Sequence, residues 1–171
     1  QKALPLDKPA AMRLKALVDK AARDKALLWT TQSEGVAQNG VFKRTAKPSF
    51  RFTYPLGSKK LPKNNPNQVM RMKTLGEINF SAYVRDIPPG MPLKDFGPQF
   101  YAPSLEAVGT NIAVVSHRKI MLKCHTDAYR TDITWLWNDK LPIKTLLVSA
   151  YKDGKCIAVC AHPWKYYHKY E

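Results

Sequence analysis

The residues best equipped for chemistry sit together in KCIAVCAH, 155–162, where Cys156, Cys160 and His162 fall on alternate positions. Thiolate and imidazole are the donors zinc prefers, and Cys124, His125 or His168 would have to complete a four-ligand set. The spacing argues against such a site. Side chains alternate along a strand, so 156, 160 and 162 share a face, yet residues four apart stand roughly 13 Å from each other. Their sulfurs diverge, whereas structural zinc sites place two ligands two to four residues apart on a turn. The same separation forbids a Cys156–Cys160 disulfide. Cys124 can reach one of the two only if its strand neighbours theirs, and one thiol is then left over. The plainer reading is two small side chains on a half-buried sheet face, covered by an N-terminal helix.

Nucleophilic catalysis fares no better. A reactive thiol needs a nearby cation or base, and Cys124–His125 is the one sequence-adjacent pair. Neighbours on a strand point to opposite faces, so adjacency does not make them cooperate. The chain holds no G-x-S-x-G, H-E-x-x-H, phosphate loop or dinucleotide fingerprint. With Asp and Glu totalling only 13, no carboxylate pair stands out as an acid–base couple. Neither an enzyme nor a cofactor is expected, and a cysteine- or zinc-dependent enzyme ranks third among the functions considered.

The elements that carry these residues are easier to read. Asp153-Gly154 between two alternating runs predicts a hairpin with a two-residue type I′ turn. That register places Leu146, Val148, Ala150, Ile157, Val159 and Ala161 on one face, and Thr145, Leu147, Ser149, Tyr151, Cys156, Ala158, Cys160 and His162 on the other. Residues 7–28 read as an amphipathic helix with an apolar stripe through Leu14, Leu17, Val18, Ala21 and Leu28. Residues 33–40 read as a loop. Strands are expected at 49–55, 68–73 and 78–87. In the last of these, Ile78, Phe80, Ala82 and Val84 point inward, while Asn79, Ser81, Tyr83 and Arg85 point outward. Pro98 and Pro103 divide 93–108 into two short helical pieces. Strands at 111–116 and 119–124 are separated by a bend at SHRK, and a further strand covers 127–137. The aromatic tail 164–171 is expected to pack against its own domain. This order predicts a single α+β domain over 1–171, built on a central, mostly antiparallel sheet flanked by helices.

The phrases FRFTYPLGSKKL, NQVMRM, INFSAYVRDI, PLKDFGPQFYAPSLEAVG, TDITWLW and IKTLLVSAYKDGKCIAVCAHPW, in that order, resemble the PsbP-like family. That family includes the extrinsic lumenal PsbP protein of photosystem II, its bacterial and thylakoid relatives and a Ran-binding transport factor. The resemblance runs from about Phe50 to Trp164 and rests on strand ends and turns, not on a catalytic signature. It implies an α/β/α sandwich and a non-catalytic accessory or docking protein, often extracytoplasmic. The family's metal-binding residues have no counterpart motif here, so no site residue carries over. The basic front end and N-terminal helix also depart from what a photosystem subunit would show.

Charge supplies the remaining clue. The chain carries +15, with 28 Lys and Arg against 13 Asp and Glu, a balance that governs association, not fold. Lys43, Arg44, Lys47, Lys59, Lys60 and Lys63 bound the first long strand as candidate binding residues. An acidic protein partner or larger complex is the first expectation, and an anionic membrane surface would use the same charge. Single-stranded nucleic acid is the alternative, disfavoured because most of the cations are Lys and the aromatics mainly face the core. The Gln1 start suggests a processed chain and an extracytoplasmic location (periplasm, lumen or secreted).

Overall fold

A computed structural model describes residues 35–74 and 78–162. The helix expected at 7–28 and the aromatic tail at 164–171 lie outside the described residues.

The larger sheet has seven antiparallel strands in the order β4-β5-β6-β10-β9-β8-β7. They are β4 (Lys59–Lys60), β5 (Gln68–Lys73), β6 (Asn79–Arg85), β7 (Gly109–Met121), β8 (Asp127–Trp137), β9 (Leu141–Lys152) and β10 (Lys155–His162). β1 (Val36–Gln38), β2 (Val41–Arg44) and β3 (Phe50–Thr53) form a second sheet of three strands. The expected hairpin closes β9 onto β10 with the predicted register, Ile157 opposite Ala150 and Val159 opposite Val148. Asp153 and Gly154 both adopt positive φ, 51° and 77°, as a type I′ turn requires.

Both faces of the seven-stranded sheet are covered among the described residues. Cys156, Ala158 and Cys160 pack in one core cluster with Phe96, Tyr101 and Leu105, while Val159 packs in the other with Phe42, Met70, Met72 and Ala82. Alternation along β10 therefore sorts the two clusters onto opposite faces. The covering layers differ from the expected helix-flanked sandwich. One face carries a helical segment, and the other carries the three-stranded sheet through Phe42, Phe50 and Phe52, whose rings lie 5.2–6.3 Å apart.

Four expectations are corrected here. Residues 33–40 are not simply a loop: Asn39 (φ 50°) and Gly40 (φ 74°) turn β1 back onto β2, and the Asn-Gly pair was the available signal. The helical region is one segment, not two. Leu93–Asp95, Phe96–Tyr101 (π-wound), Ala102–Ser104 and Leu105–Ala107 (3₁₀) run on without a gap, and we call the whole of 93–107 α1. Pro98 and Pro103 lack the N–H that a uniform ladder needs, so the winding changes where the chain would otherwise break. The bend at SHRK does not occur either: β7 is continuous for 13 residues, with irregular register at Thr110/Ala113 and Val114/Ser116. It is an edge strand, so polar side chains there face water without interrupting pairing. The thiols of β10, finally, are not on a half-buried face: Cys156 and Cys160 are 0% and 1% exposed and pack against α1, while the N-terminal helix expected to cover them lies outside the described residues.

Candidate functional site

The alternation along β6 predicts an apolar inner face and a polar outer one. Phe80 and Ala82 do meet the three-stranded sheet. The polar side chains Asn79, Ser81, Tyr83 and Arg85, however, do not face open solvent: they floor a cleft of about 440 Å³ between the large sheet and α1. That size falls in the range of small-molecule sites, roughly 300–1,000 Å³. Phe96, Tyr101, Ser104 and Leu105 of α1 form the roof, and Trp135, Ile143 and Ala158 continue the floor. A register irregularity between Gln68 and Met70 lets both side chains be buried on opposite faces. Gln68 Nε2 then donates to Ser81 Oγ (2.9 Å) and to the Tyr83 hydroxyl (3.3 Å) inside the cleft.

Charge in the cleft has one sign. Among the described residues, Arg71 and Arg85 line it and no carboxylate does. Arg71 Nη1 donates to the Pro62 carbonyl at 3.1 Å. The Arg85 guanidinium lies over the Phe100 ring, 4.4 Å from its centroid, and its Nε is buried without a hydrogen-bond partner. Burial raises the Tyr83 phenol and, more strongly, that of Tyr101 above the ordinary tyrosine value.

Of the sequence-derived metal candidates, Cys160 and His162 meet and Cys156 does not join them. Cys160 Sγ lies 3.2 Å from His162 Nε2, and His162 Nδ1 lies 2.8 Å from Thr145 Oγ1, which accepts from Trp135 Nε1 at 2.9 Å. Tyr101 packs in the same buried cluster as Cys160. Cys156 sits at the other end of β10, opposite Tyr151 and Arg85. Among the described residues, no three His, Cys, Asp or Glu side chains converge as a metal-holding group. All three cysteines are free, so the contemplated pairing of Cys124 with Cys156 or Cys160 is absent; Cys124 lies in the turn after β7, not in a strand.

The Cys160–His162 contact does not make a nucleophile. Burial pushes the Cys160 thiol up to about 11 and Cys156 to about 12, and it holds His162 down to about 4. At neutral pH both partners are uncharged, the opposite of a thiolate–imidazolium pair. Exposed Cys124 has its value lowered by the Thr126 hydroxyl 3.3 Å from Sγ. Titration of the native protein with a thiol-specific chromogenic reagent is therefore expected to detect one rapidly reacting cysteine, and three after denaturation. Fast reaction of two or more in the native state would contradict the burial.

His162 also predicts a pH dependence. Its folded value near 4 lies below the ordinary histidine value of 6.5, so the unfolded chain binds the proton more readily and stability rises with pH between these values. The side chain keeps partial exposure where it lines the cleft, which reduces the effect. Acidification from pH 7 to 4 is expected to remove about 1–2 kcal/mol through this residue. His162→Gln should flatten that part of a urea-midpoint profile, and an unchanged slope would assign it elsewhere.

The basic candidates separate. Arg44 is buried, 9% exposed, and spends Nη1 on the carbonyls of Ala46 and Pro48 at 2.8 and 2.7 Å. It holds the loop between β2 and β3 and is withdrawn as a surface contact. Lys43 and Lys47 are exposed around the small sheet, while Lys59, Lys60 and Lys63 are exposed on and after edge strand β4. Lys59 stands directly opposite Lys73 of β5.

Neither a family model nor a curated protein matches the sequence. Among solved structures, cyanobacterial PsbP (CyanoP) from Synechocystis sp. PCC 6803 superposes with a TM-score of 0.57 at 17% identity, over 77% of this chain and 84% of that one. A Pseudomonas aeruginosa protein of unknown function aligns over 73% of this chain and 83% of its own, at 11% identity and a TM-score of 0.44. The first of these similarities shows that the chain has a PsbP-like fold.

Proposed function

We propose that the chain is a non-catalytic accessory protein that docks by charge on an acidic protein complex, outside the cytoplasm. The observation that carries this reading is the cationic edge at β4. Lys59 and Lys73 face each other across a strand pair, with exposed Lys60 and Lys63 beside them. Exposed Lys59 and Lys60 on this edge present cations that an anionic partner can pair with. The net charge of +15 supplies long-range steering toward such a partner. The fold shared with cyanobacterial PsbP supports a binding role, and the uncharged Cys160–His162 pair offers no nucleophile to set against it.

The test is capture of acidic complexes from native extract on the immobilised protein, eluted between about 50 and 500 mM salt. Bound partners are expected to leave early in the gradient. Lys59→Glu/Lys60→Glu/Lys63→Glu should weaken capture about ten-fold or more, because reversed charges repel the same surface. Capture insensitive to salt and to these substitutions would refute docking by charge. Vesicles of anionic lipid and a single-stranded oligonucleotide serve as parallel arms. Preference for the oligonucleotide, with a salt slope of several ions, would replace this reading by nucleic-acid binding.

A further inference from the structure

The cleft under α1 has a chemistry distinct from that of the lysine edge at β4. A packed domain ordinarily leaves few buried polar atoms unsatisfied, because each costs about 1–3 kcal/mol. Among the described residues, one buried side-chain nitrogen or oxygen lacks a partner: Nε of Arg85, a residue that lines this cleft.

The way Arg85 is held gives that nitrogen a use. Its guanidinium lies over the Phe100 ring at 4.4 Å, which fixes the plane of the fork. Nε–H and the neighbouring Nη–H form the side of the fork that takes an oxyanion through two parallel bonds. Arg71 is the other charge in the lining, and among the described residues no aspartate or glutamate lines the cleft beside the pair. Within reach of the same space, Tyr83 and Ser81 carry hydroxyls already oriented by Gln68. Trp135, Ile143 and Leu105 supply apolar walls. A concave, mostly apolar space with a few convergent polar groups is the usual form of a small-molecule site.

We propose that this cleft binds a small organic oxyanion, a carboxylate or phosphate monoester carried on an apolar body, with Arg85 as its principal anchor and Arg71 as a second cation. The polar face of β6 is then a binding surface, and the π-wound turn Phe96–Tyr101 is the part of the roof that presses on the bound molecule. Such windings recur at functional sites.

The experiment is isothermal titration of the intact protein with four probes that share one ring system: 1-naphthoate, 1-naphthyl phosphate, neutral 1-naphthamide and cationic 1-naphthylmethylamine. The two anions are expected to bind, and to bind at least about ten-fold more tightly than the amide or the amine. Comparing the carboxylate with the phosphate identifies which oxyanion fits. Arg85→Gln should weaken the anions about ten-fold and Arg71→Gln about three-fold. Because Arg85→Gln also removes the contact with Phe100, Ser104→Trp provides an independent check. Ser104 is an exposed residue of the lining, so a large ring there takes up space in the cleft while both arginines stay in place. Lys59→Glu/Lys60→Glu/Lys63→Glu should leave probe affinity unchanged, which separates the cleft from the docking edge. The proposal fails if neither anion binds, if the amide binds as well as the anions, or if anion binding survives both Arg85→Gln and Ser104→Trp.

Discussion

Phe96→Ala is expected to destabilise the fold by about 3–5 kcal/mol, the range for deleting a buried aromatic ring from a packed core. Phe96 is 0% exposed and belongs to the cluster that joins α1 to β8, β9 and β10 through Tyr101, Leu105, Ile133, Leu147 and Cys160. Its ring stacks on Phe100 at 5.5 Å, and the Arg85 guanidinium lies 6.0 Å from its centroid. Removing the ring therefore leaves a void where the helical layer is fastened to the sheet. In a chain of this length the loss corresponds to roughly 6–20 °C in melting temperature. Leu56→Ala, at a side chain 74% exposed, is the control and should stay within about 0.5 kcal/mol of wild type. Urea unfolding followed by circular dichroism measures both. A Phe96→Ala loss below 1 kcal/mol would mean that α1 does not pack as described.

Gly97→Ala tests the same interface with the opposite prior. Inside an ordinary helix, alanine in place of glycine stabilises by nearly 1 kcal/mol. Here a Cβ on Gly97 would meet Thr131 of β8, 2.9 Å from its Cβ and closer still to its Oγ1. Thr131 is fully buried and its hydroxyl lies 2.9 Å from His117 Nδ1, so it cannot swing away freely. Overpacking of this kind costs about 1–3 kcal/mol, and the net change should be destabilising by about 2. In a Thr131→Ala background the clash with Oγ1 disappears. The double variant should then be less damaged than the two single losses predict, with a coupling of about 0.5–3 kcal/mol. A stabilising Gly97→Ala would show that helix propensity, not contact with the sheet, controls this turn.

Much of the architecture was legible because it depends on short-range rules. Asp153-Gly154 specifies a turn whose backbone only a few residue types adopt cheaply, and the register of β9 on β10 follows from it. Asn39-Gly40 carries the same information and was passed over, since the flanking runs of the small sheet are only three and four residues long. Polarity misled at SHRK and along β6. In the first case hydrophilic residues mark an edge strand, and in the second they mark the floor of a cleft. Both patterns look like solvent exposure in a sequence, because alternation reports that two faces differ but not what covers each of them.

The candidate site was legible only in fragments. Cys160 and His162 were singled out correctly as neighbours on one face, yet their chemistry depends on burial by α1, which comes from a different part of the chain. Arg85 and Arg71 drew no attention as a pair, since β5 and β6 place them in the same cleft only through cross-strand pairing. Arg44 shows the converse: a cation that looked available is consumed by two backbone carbonyls.

By itself, the sequence determined strands β3, β5, β6, β8 and β10, the principal hairpin, the mostly antiparallel character of the sheet and the excess of positive charge. Each is a property of local spacing or of composition, and neither needs distant partners to be known. Only the tertiary structure decided which layer covers each sheet face, which thiols are shielded, and where two arginines share an enclosed space. Those outcomes depend on contacts between segments far apart in the chain, and dielectric environment, unlike periodicity, is set by whatever those contacts exclude.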